Sequence, residues 1–146
     1  MTNSLDLSSL RDNPDLVRLN LPWPDSRLLP NRKLHWAEKG RATQDSRWTA
    51  MILASNQKII GVATGPDTFD YRPQLPMSAC TAHVTFYPPD RRRRDLDNCL
   101  RSIKPYWDGM VDAGLLKDDS CIRQISVTMG EPDKHNARVE IELVEV

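Results

Sequence analysis

The chain has 146 residues, 39% hydrophobic and 27% charged, which suits one soluble domain burying roughly 70% of its unfolded surface. No apolar run approaches the ~18 residues of a membrane span, and Met1-Thr2-Asn3-Ser4 lacks the basic-then-apolar opening of a secretory signal, so a cytoplasmic protein with no membrane partner is expected. Twenty basic and twenty acidic residues cancel to a net charge of zero, so any attraction to nucleic acid must come from a local patch.

Residues 1 to about 17 are polar, are broken by Pro14 and read as a mobile tail. Val17 to Trp23 reads as a short strand ended by Pro22 and Pro24. From Asp25 to Gly40 the chain reads as loop, rich in cations that include Arg27, Arg32, Lys33 and Lys39. That basic stretch is either a solvated loop or a surface that meets phosphates. Trp48, Met51 and Ile52 recur at helical spacing and predict a helix from Thr43 to about Gln57. A proline-rich connection with Pro66, Pro73 and Pro76 follows.

Cys80 to Tyr87 alternates, with Ala82, Val84 and Phe86 on one face and Thr81, His83 and Thr85 on the other, as in a half-buried strand stopped by Pro88-Pro89. Helical periodicity returns at Leu96, Cys99, Leu100, Ile103, Trp107, Met110 and Val111. Pro105 predicts a kink there, or two short helices meeting, and Gly114 a C-cap. Ile125, Val127 and Met129, then Val139, Ile141 and Leu143, alternate in two closing strands, and Gly130, Pro132 and Asp133 between them suggest an antiparallel hairpin. Strands and helices without strict alternation argue an α+β fold, a small mixed sheet with helices packed on it in one domain. Cys80, Cys99 and Cys121 form no C-x-x-C pair and read as buried thiols, and with His35, His83 and His135 equally scattered a zinc site is not expected.

The chemistry concentrates between Asp90 and Asp119. Four arginines, Arg91 to Arg94, lead into Asp95-Leu96-Asp97-Asn98; Arg101, Lys104 and Asp108 follow, then Asp118-Asp119. Carboxylates that can share a divalent cation, beside cations that can hold phosphates, are the parts of a metal-dependent phosphodiester hydrolase. Each part also has an ordinary structural role. Asp95 and Asp97 can cap a helix, Asp118-Asp119 can be a solvated turn, Lys104 can pair with Asp108 at i,i+4, and an arginine run can be a solvated face. The catalytic reading requires the chain to double back after the helix and bring the second acidic pair to the first. Two carboxylates about 4 Å apart repel by about 4 kcal/mol at an effective dielectric near 20, so such a cluster needs a cation or a proton.

Asp90-Arg91-Arg92-Arg93-Arg94-Asp95-Leu96-Asp97-Asn98, Lys104-Pro105, Asp108-Gly109-Met110, Ala113-Gly114-Leu115 and Asp118-Asp119-Ser120 together resemble the RusA-type Holliday-junction resolvases, in particular their phage and prophage branch. Leu21-Pro22-Trp23-Pro24 resembles the opening strand of that family. The resemblance covers residues 19–146 and leaves residues 1–18 as a tail outside it. It implies a homodimeric endonuclease that resolves four-way branched DNA in recombination and repair with Mg²⁺, for which Mn²⁺ may substitute. It implies metal ligands at Asp95, Asp97 and Asp119, and catalytic roles for these three and Lys104. Arg101 stands where shorter family members carry their lysine, so the basic role is open between Lys104 and Arg101, with Lys104 favoured by the downstream Asp-Gly and Ala-Gly elements. Arg91, Arg92, Arg93, Arg94, Arg101, Arg32 and Lys33 are the candidate DNA contacts. The apolar stripe with Trp107 is either core or part of a dimer contact. Competing readings are a non-catalytic binder of branched or single-stranded DNA and a sugar-nucleotide transferase built on Asp95-Leu96-Asp97, the latter disfavoured because the chain has no Gly-rich phosphate loop.

Overall fold

The structure is a computed structural model and describes residues 16–29, 33, 35–56 and 75–146, and the backbone of 61–65 and 68–71. The expected tail before residue 16, Arg32, and the prolines at 66 and 73 lie outside the described residues. In chain order the elements are β1 (Leu16–Pro22), α1 (Trp36–Ser55), β2 (Gly61–Gly65), β3 (Thr68–Tyr71), β4 (Cys80–Tyr87), α2 (Leu96–Ser102), α3 (Lys104–Asp112), β5 (Ile122–Met129) and β6 (Arg138–Glu145). Leu16 to Arg18 therefore belong to the sheet.

Four strands form one mixed sheet in the order β1-β6-β4-β5, and β2 with β3 form a separate antiparallel pair. The expected α+β class with helices against a small mixed sheet is what the chain adopts. The expected hairpin between the last two strands is not. β4 lies between them, parallel to β5 and antiparallel to β6. The connection after Met129 crosses the end of β4 instead of turning tightly, and is fastened there by Gly130 N–H to Phe86 C=O at 2.8 Å and Asp133 N–H to Pro88 C=O at 2.8 Å. The Pro76-containing stretch, expected to be bare connection, is preceded by the β2–β3 pair.

Register explains the core. Val17 faces Leu143, Leu19 faces Ile141 and Leu21 faces Val139, while Ala82, Val84 and Phe86 face the same three residues from the other side. All are buried, and opposed residues share a face, so three adjacent strands present one apolar slab. The opposite face carries Arg18 against Glu142 and Thr85 against Glu140. An antiparallel sheet packed on one side and wet on the other requires this alternation. β5 departs from it: Ile125 is 40% exposed at the sheet edge.

α1 begins at Trp36, seven residues before the sequence reading placed it, with His35 Nδ1 accepting the Ala37 N–H at 3.3 Å. The cationic stretch that read as loop is thus partly helix. Its buried stripe is Ala42, Ser46, Ala50 and Ala54, whereas Trp48 is 62% and Ile52 43% exposed. Small residues let α1 approach α3 closely, and a Cβ on Gly109 would stand 2.4 Å from the Arg47 carbonyl oxygen.

The segment 96–112 is two helices meeting at Ile103, with Pro105 in the first turn of α3, where its missing N–H has no intrahelical partner to lose. Gly114 has φ 81°, the left-handed conformation that favours glycine. Its N–H donates to Val111 C=O at 2.9 Å and that of Leu115 to Met110 C=O at 3.0 Å, which closes the helix as a Schellman motif. Trp107 is 5% exposed within the main hydrophobic cluster, so it is a core residue rather than a dimer contact. Cys80, Cys99 and Cys121 are buried thiols, as expected. No helix of the described residues is long and apolar enough to cross a membrane.

Candidate active site

Three connections build the site. The first is the loop from Pro88 to Asp95 after β4. Asp90 organises it: its carboxylate accepts the Arg92 N–H at 2.9 Å and pairs with Arg94 at 2.8 Å. The Arg92 N–H is the first cause that holds the Asp90 carboxyl below its ordinary range, with Arg94 adding to it. Arg94 is therefore turned inward, its side chain 19% exposed and its guanidinium 5.4 Å from the Trp23 ring centroid. Arg91 and Arg92 are more than 80% exposed and, with the exposed Arg93, face solvent. The run thus divides into an inward residue and an outward group, a division that charge patterning alone does not reveal.

The second is the start of α2. Asp95 is the N-cap residue in extended backbone, yet its carboxylate makes no capping bond, and Asp97 lies in the first turn. Both are exposed. Asn98 Nδ2 donates to Asp95 Oδ2 at a long 3.4 Å. Caps normally hold N–H groups of the first turn with such an oxygen. A cap residue that leaves its carboxylate facing outward counts against the purely structural role for Asp95.

The third is the return after α3. Met77 N–H donates to Leu115 C=O at 2.8 Å and Lys117 N–H to Met77 C=O at 3.2 Å, which pins the chain just before Asp118. The two adjacent acids then separate in role. The Asp118 carboxylate accepts the Ser120 N–H at 2.7 Å and the Ser120 hydroxyl, capping the 3-10 turn Asp119–Cys121. Asp119 faces the other way, with Oδ2 2.6 Å from Lys104 Nζ, which also lies 3.0 Å from Asp108 Oδ1. Lys104 is the first cause that lowers the Asp119 carboxyl below its usual range. Reciprocally, its bond to Asp119 is the main cause that raises the Lys104 ammonium, with Asp108 adding to it.

The chain does return after α3, but it delivers Asp119 to Lys104 at the start of α3 and not to Asp95 and Asp97, so the expected meeting of the two acidic pairs is not seen among the described residues. Asp95 and Asp97 sit at the other end of α2, about 10 Å of helix rise away. Among the described residues no three His, Cys, Asp or Glu side chains gather as a metal-binding group in this arrangement. The donors are nonetheless all carboxylate oxygens, the kind hard divalent cations take, and Asp119 already holds a cationic partner. Arg101 is exposed on α2, and Lys33 is exposed ahead of α1.

A cleft of about 590 Å³ opens between the residues after β1, the arginine loop and α2, and Asp95 forms part of its wall. Trp23 and Asn98 line it too, and neither is among the site residues that the sequence suggests. The signal for Trp23 was its place between Pro22 and Pro24, which fixes the strand's end.

The chain matches the family described as Endodeoxyribonuclease RusA over residues 68–144, just over half its length. It is 34% identical over 96 residues to an uncharacterized protein of Xylella fastidiosa, covering 65% of this chain and 56% of that one. It is 43% identical over 42 residues to the crossover junction endodeoxyribonuclease RusA of Aquifex aeolicus, covering 29% and 31%. These first two relatives are thus spanned only to about half and a third of their lengths. The crossover junction endodeoxyribonuclease of Enterobacteria phage 82 is 28% identical over 132 residues, 88% of this chain and 93% of that protein. The matched segment contains the arginine loop, both acidic pairs, Lys104 and three of the four strands of the main sheet, and by that match the chain belongs to the RusA family.

Proposed function

We propose that this protein is a structure-specific DNA endonuclease that resolves four-way junctions by hydrolysing one phosphodiester on each of two opposed strands. The observation that carries this is the Lys104–Asp119 contact. It brings Asp119 to the first residue of α3, the helix that follows the one opened by Asp95 and Asp97, with an ammonium between two carboxylates at a solvent-facing surface.

Asp95, Asp97 and Asp119 would hold magnesium or manganese. When bound, such an ion lowers the pKa of its water and neutralises phosphate oxygens. The remaining work falls to the chain itself. Lys104 is kept charged by Asp119 and Asp108 and presents an ammonium that can steady the scissile phosphate or the leaving oxygen. Arg91, Arg92 and Arg93 are outward-facing cations that can grip flanking phosphates, supplying locally the attraction that the net charge lacks. Arg94 is held by Asp90 and shapes the approach to Asp95. Two copies related by a two-fold axis would match the symmetry of a four-way junction.

The test is a synthetic four-way junction incubated with Mg²⁺. Wild type is expected to release nicked duplexes, and Asp97→Asn to keep junction binding while losing cleavage by roughly 100-fold or more. Binding without cleavage in the wild type would favour the non-catalytic reading and overturn this one.

A further inference from the structure

The cleft beside Asp95 has a lining that a phosphate grip does not require. Trp23 forms one wall and is held from two sides. Its ring meets Phe86 edge-on, with centroids 6.0 Å apart and planes at 79°, and the preceding Pro22 carbonyl accepts the Tyr106 hydroxyl at 2.7 Å. The Arg94 guanidinium, whose charge Asp90 already answers, lies over that ring, its central carbon 5.4 Å from the centroid. Leu29 is 37% exposed and also lines the cleft. The Ser102 hydroxyl is committed to the Cys99 carbonyl at 2.6 Å. Asn98 differs from these. Among the described residues its amide makes one hydrogen bond, the long one to Asp95, which leaves it donor and acceptor capacity at the cleft.

We propose that this cleft receives one unstacked nucleobase, from the nucleotide next to the phosphate that is cut, with the packed Trp23–Arg94 pair as a single stacking platform and Asn98 reading the base edge. The proposal rests on the nuclease reading and adds a site to it. A volume of about 590 Å³ lies within the ~300–1,000 Å³ of small-ligand sites, ample for a base. Flat aromatic and guanidinium surfaces are what splayed bases stack on, and a side-chain amide can pair two positions of a base edge at once. A phosphate is the poorer occupant. Asp95 lines the same wall, and the one inward cation is already neutralised, whereas Arg92 and Arg93 at the same cleft are the exposed charges that suit a backbone. Because Asp95 belongs both to the cleft and to the acidic site, a base held there fixes which phosphate meets the acids. A base that has lost pairing or stacking partners costs least to take out of the stack, so a cleft that holds one favours a disrupted helix and fixes the cutting position.

The experiment is a coupling cycle between protein and DNA, read as binding affinity by fluorescence anisotropy without divalent cation. Junctions carrying an abasic site at each position around the cut are measured against wild type, Trp23→Leu and Asn98→Ala. At one position, adjacent to the cut, the effect of base removal is expected to differ between wild type and Trp23→Leu by roughly fivefold or more, the size of one base–aromatic stack. Asn98→Ala, on a half-exposed helix position, should show coupling at that same position and should flatten the choice of cutting site in Mg²⁺. It keeps the test decisive if the Trp23 variant does not fold. Additive effects at every position, in a wild type that cuts junctions normally, overturn the base cleft and leave the nuclease standing. A wild type that neither binds nor cuts junctions overturns both.

Discussion

Lys104 and Arg101 differ in what surrounds them, and that difference argues which one acts. Lys104 Nζ is held between two carboxylates, one of them Asp119 from the far side of the site, while Arg101 is exposed on α2. A group placed by two partners is pre-organised for charge that develops at one point; an exposed arginine serves attraction. Lys104→Ala is therefore expected to lower kcat by roughly 100-fold or more with junction affinity little changed. Arg101→Ala is expected to lower affinity and reduce the slope of log K against log salt by about 0.9, one phosphate contact, with kcat nearly intact. Single-turnover rates and salt titrations of both variants check this, and a reversed pattern would assign the role to Arg101. The acidic pairs, Lys104 and the arginine run stand out in the sequence by residue type and spacing, and the roles given to them belong to the proposed function. The division of labour between Asp118 and Asp119 was not legible there, since neighbours in sequence diverge only once the 3-10 turn sets their directions. Trp23 and Asn98 were equally hidden, because the cleft is made by segments some seventy residues apart in the chain.

The elements divide in the same way between local and long-range information. The alternation of Cys80 to Tyr87, the break near Pro105 and the glycine stop at Gly114 are local, and each was readable. The parallel pairing of β4 with β5 was not, because adjacent strands joined by Gly, Pro and Asp look like a hairpin until a third strand competes for the space between. Nor was the packing face of α1, where large residues announced the helix and small ones bury it. Gly109 makes that contact testable. With a Cβ it would meet Arg47 O at 2.4 Å and Ala50 Cβ at 2.7 Å, so Gly109→Ala must push α3 off α1 and should cost about 1–3 kcal/mol in denaturant unfolding. A neutral result would mean the helices are not so closely seated. Across the same interface Arg47 Nη2 meets Asp112 Oδ1 at 2.7 Å and is the first cause that lowers the Asp112 carboxyl. A carboxyl depressed in the folded state stabilises above its unfolded value near pH 4, and that contribution is lost as pH falls through the lower folded value. Asp112→Asn should thus lower Tm at pH 7, with the gap to wild type closing below about pH 4.

At the scale of the whole molecule, the zero net charge and the outward arginines set a constraint on how the proposed junction substrate would be engaged. Little long-range attraction is available, so affinity must come from several local contacts made together, and a branched substrate offers equivalent arms to more than one copy of the patch. Two sites on one two-fold assembly would bind with an effective concentration far above that of free protein and would cut opposed strands before the junction departs. The expected state is therefore a dimer by sedimentation at micromolar concentration. The sharper test uses mixed dimers, one subunit wild type and the other Asp97→Asn. If each subunit serves one strand, these dimers nick one strand at near the wild-type rate and accumulate singly nicked junctions, with paired duplex products nearly absent. Paired products from purified mixed dimers at the wild-type rate would mean that one site visits both strands, and a monomer would remove the geometric basis for paired cutting altogether.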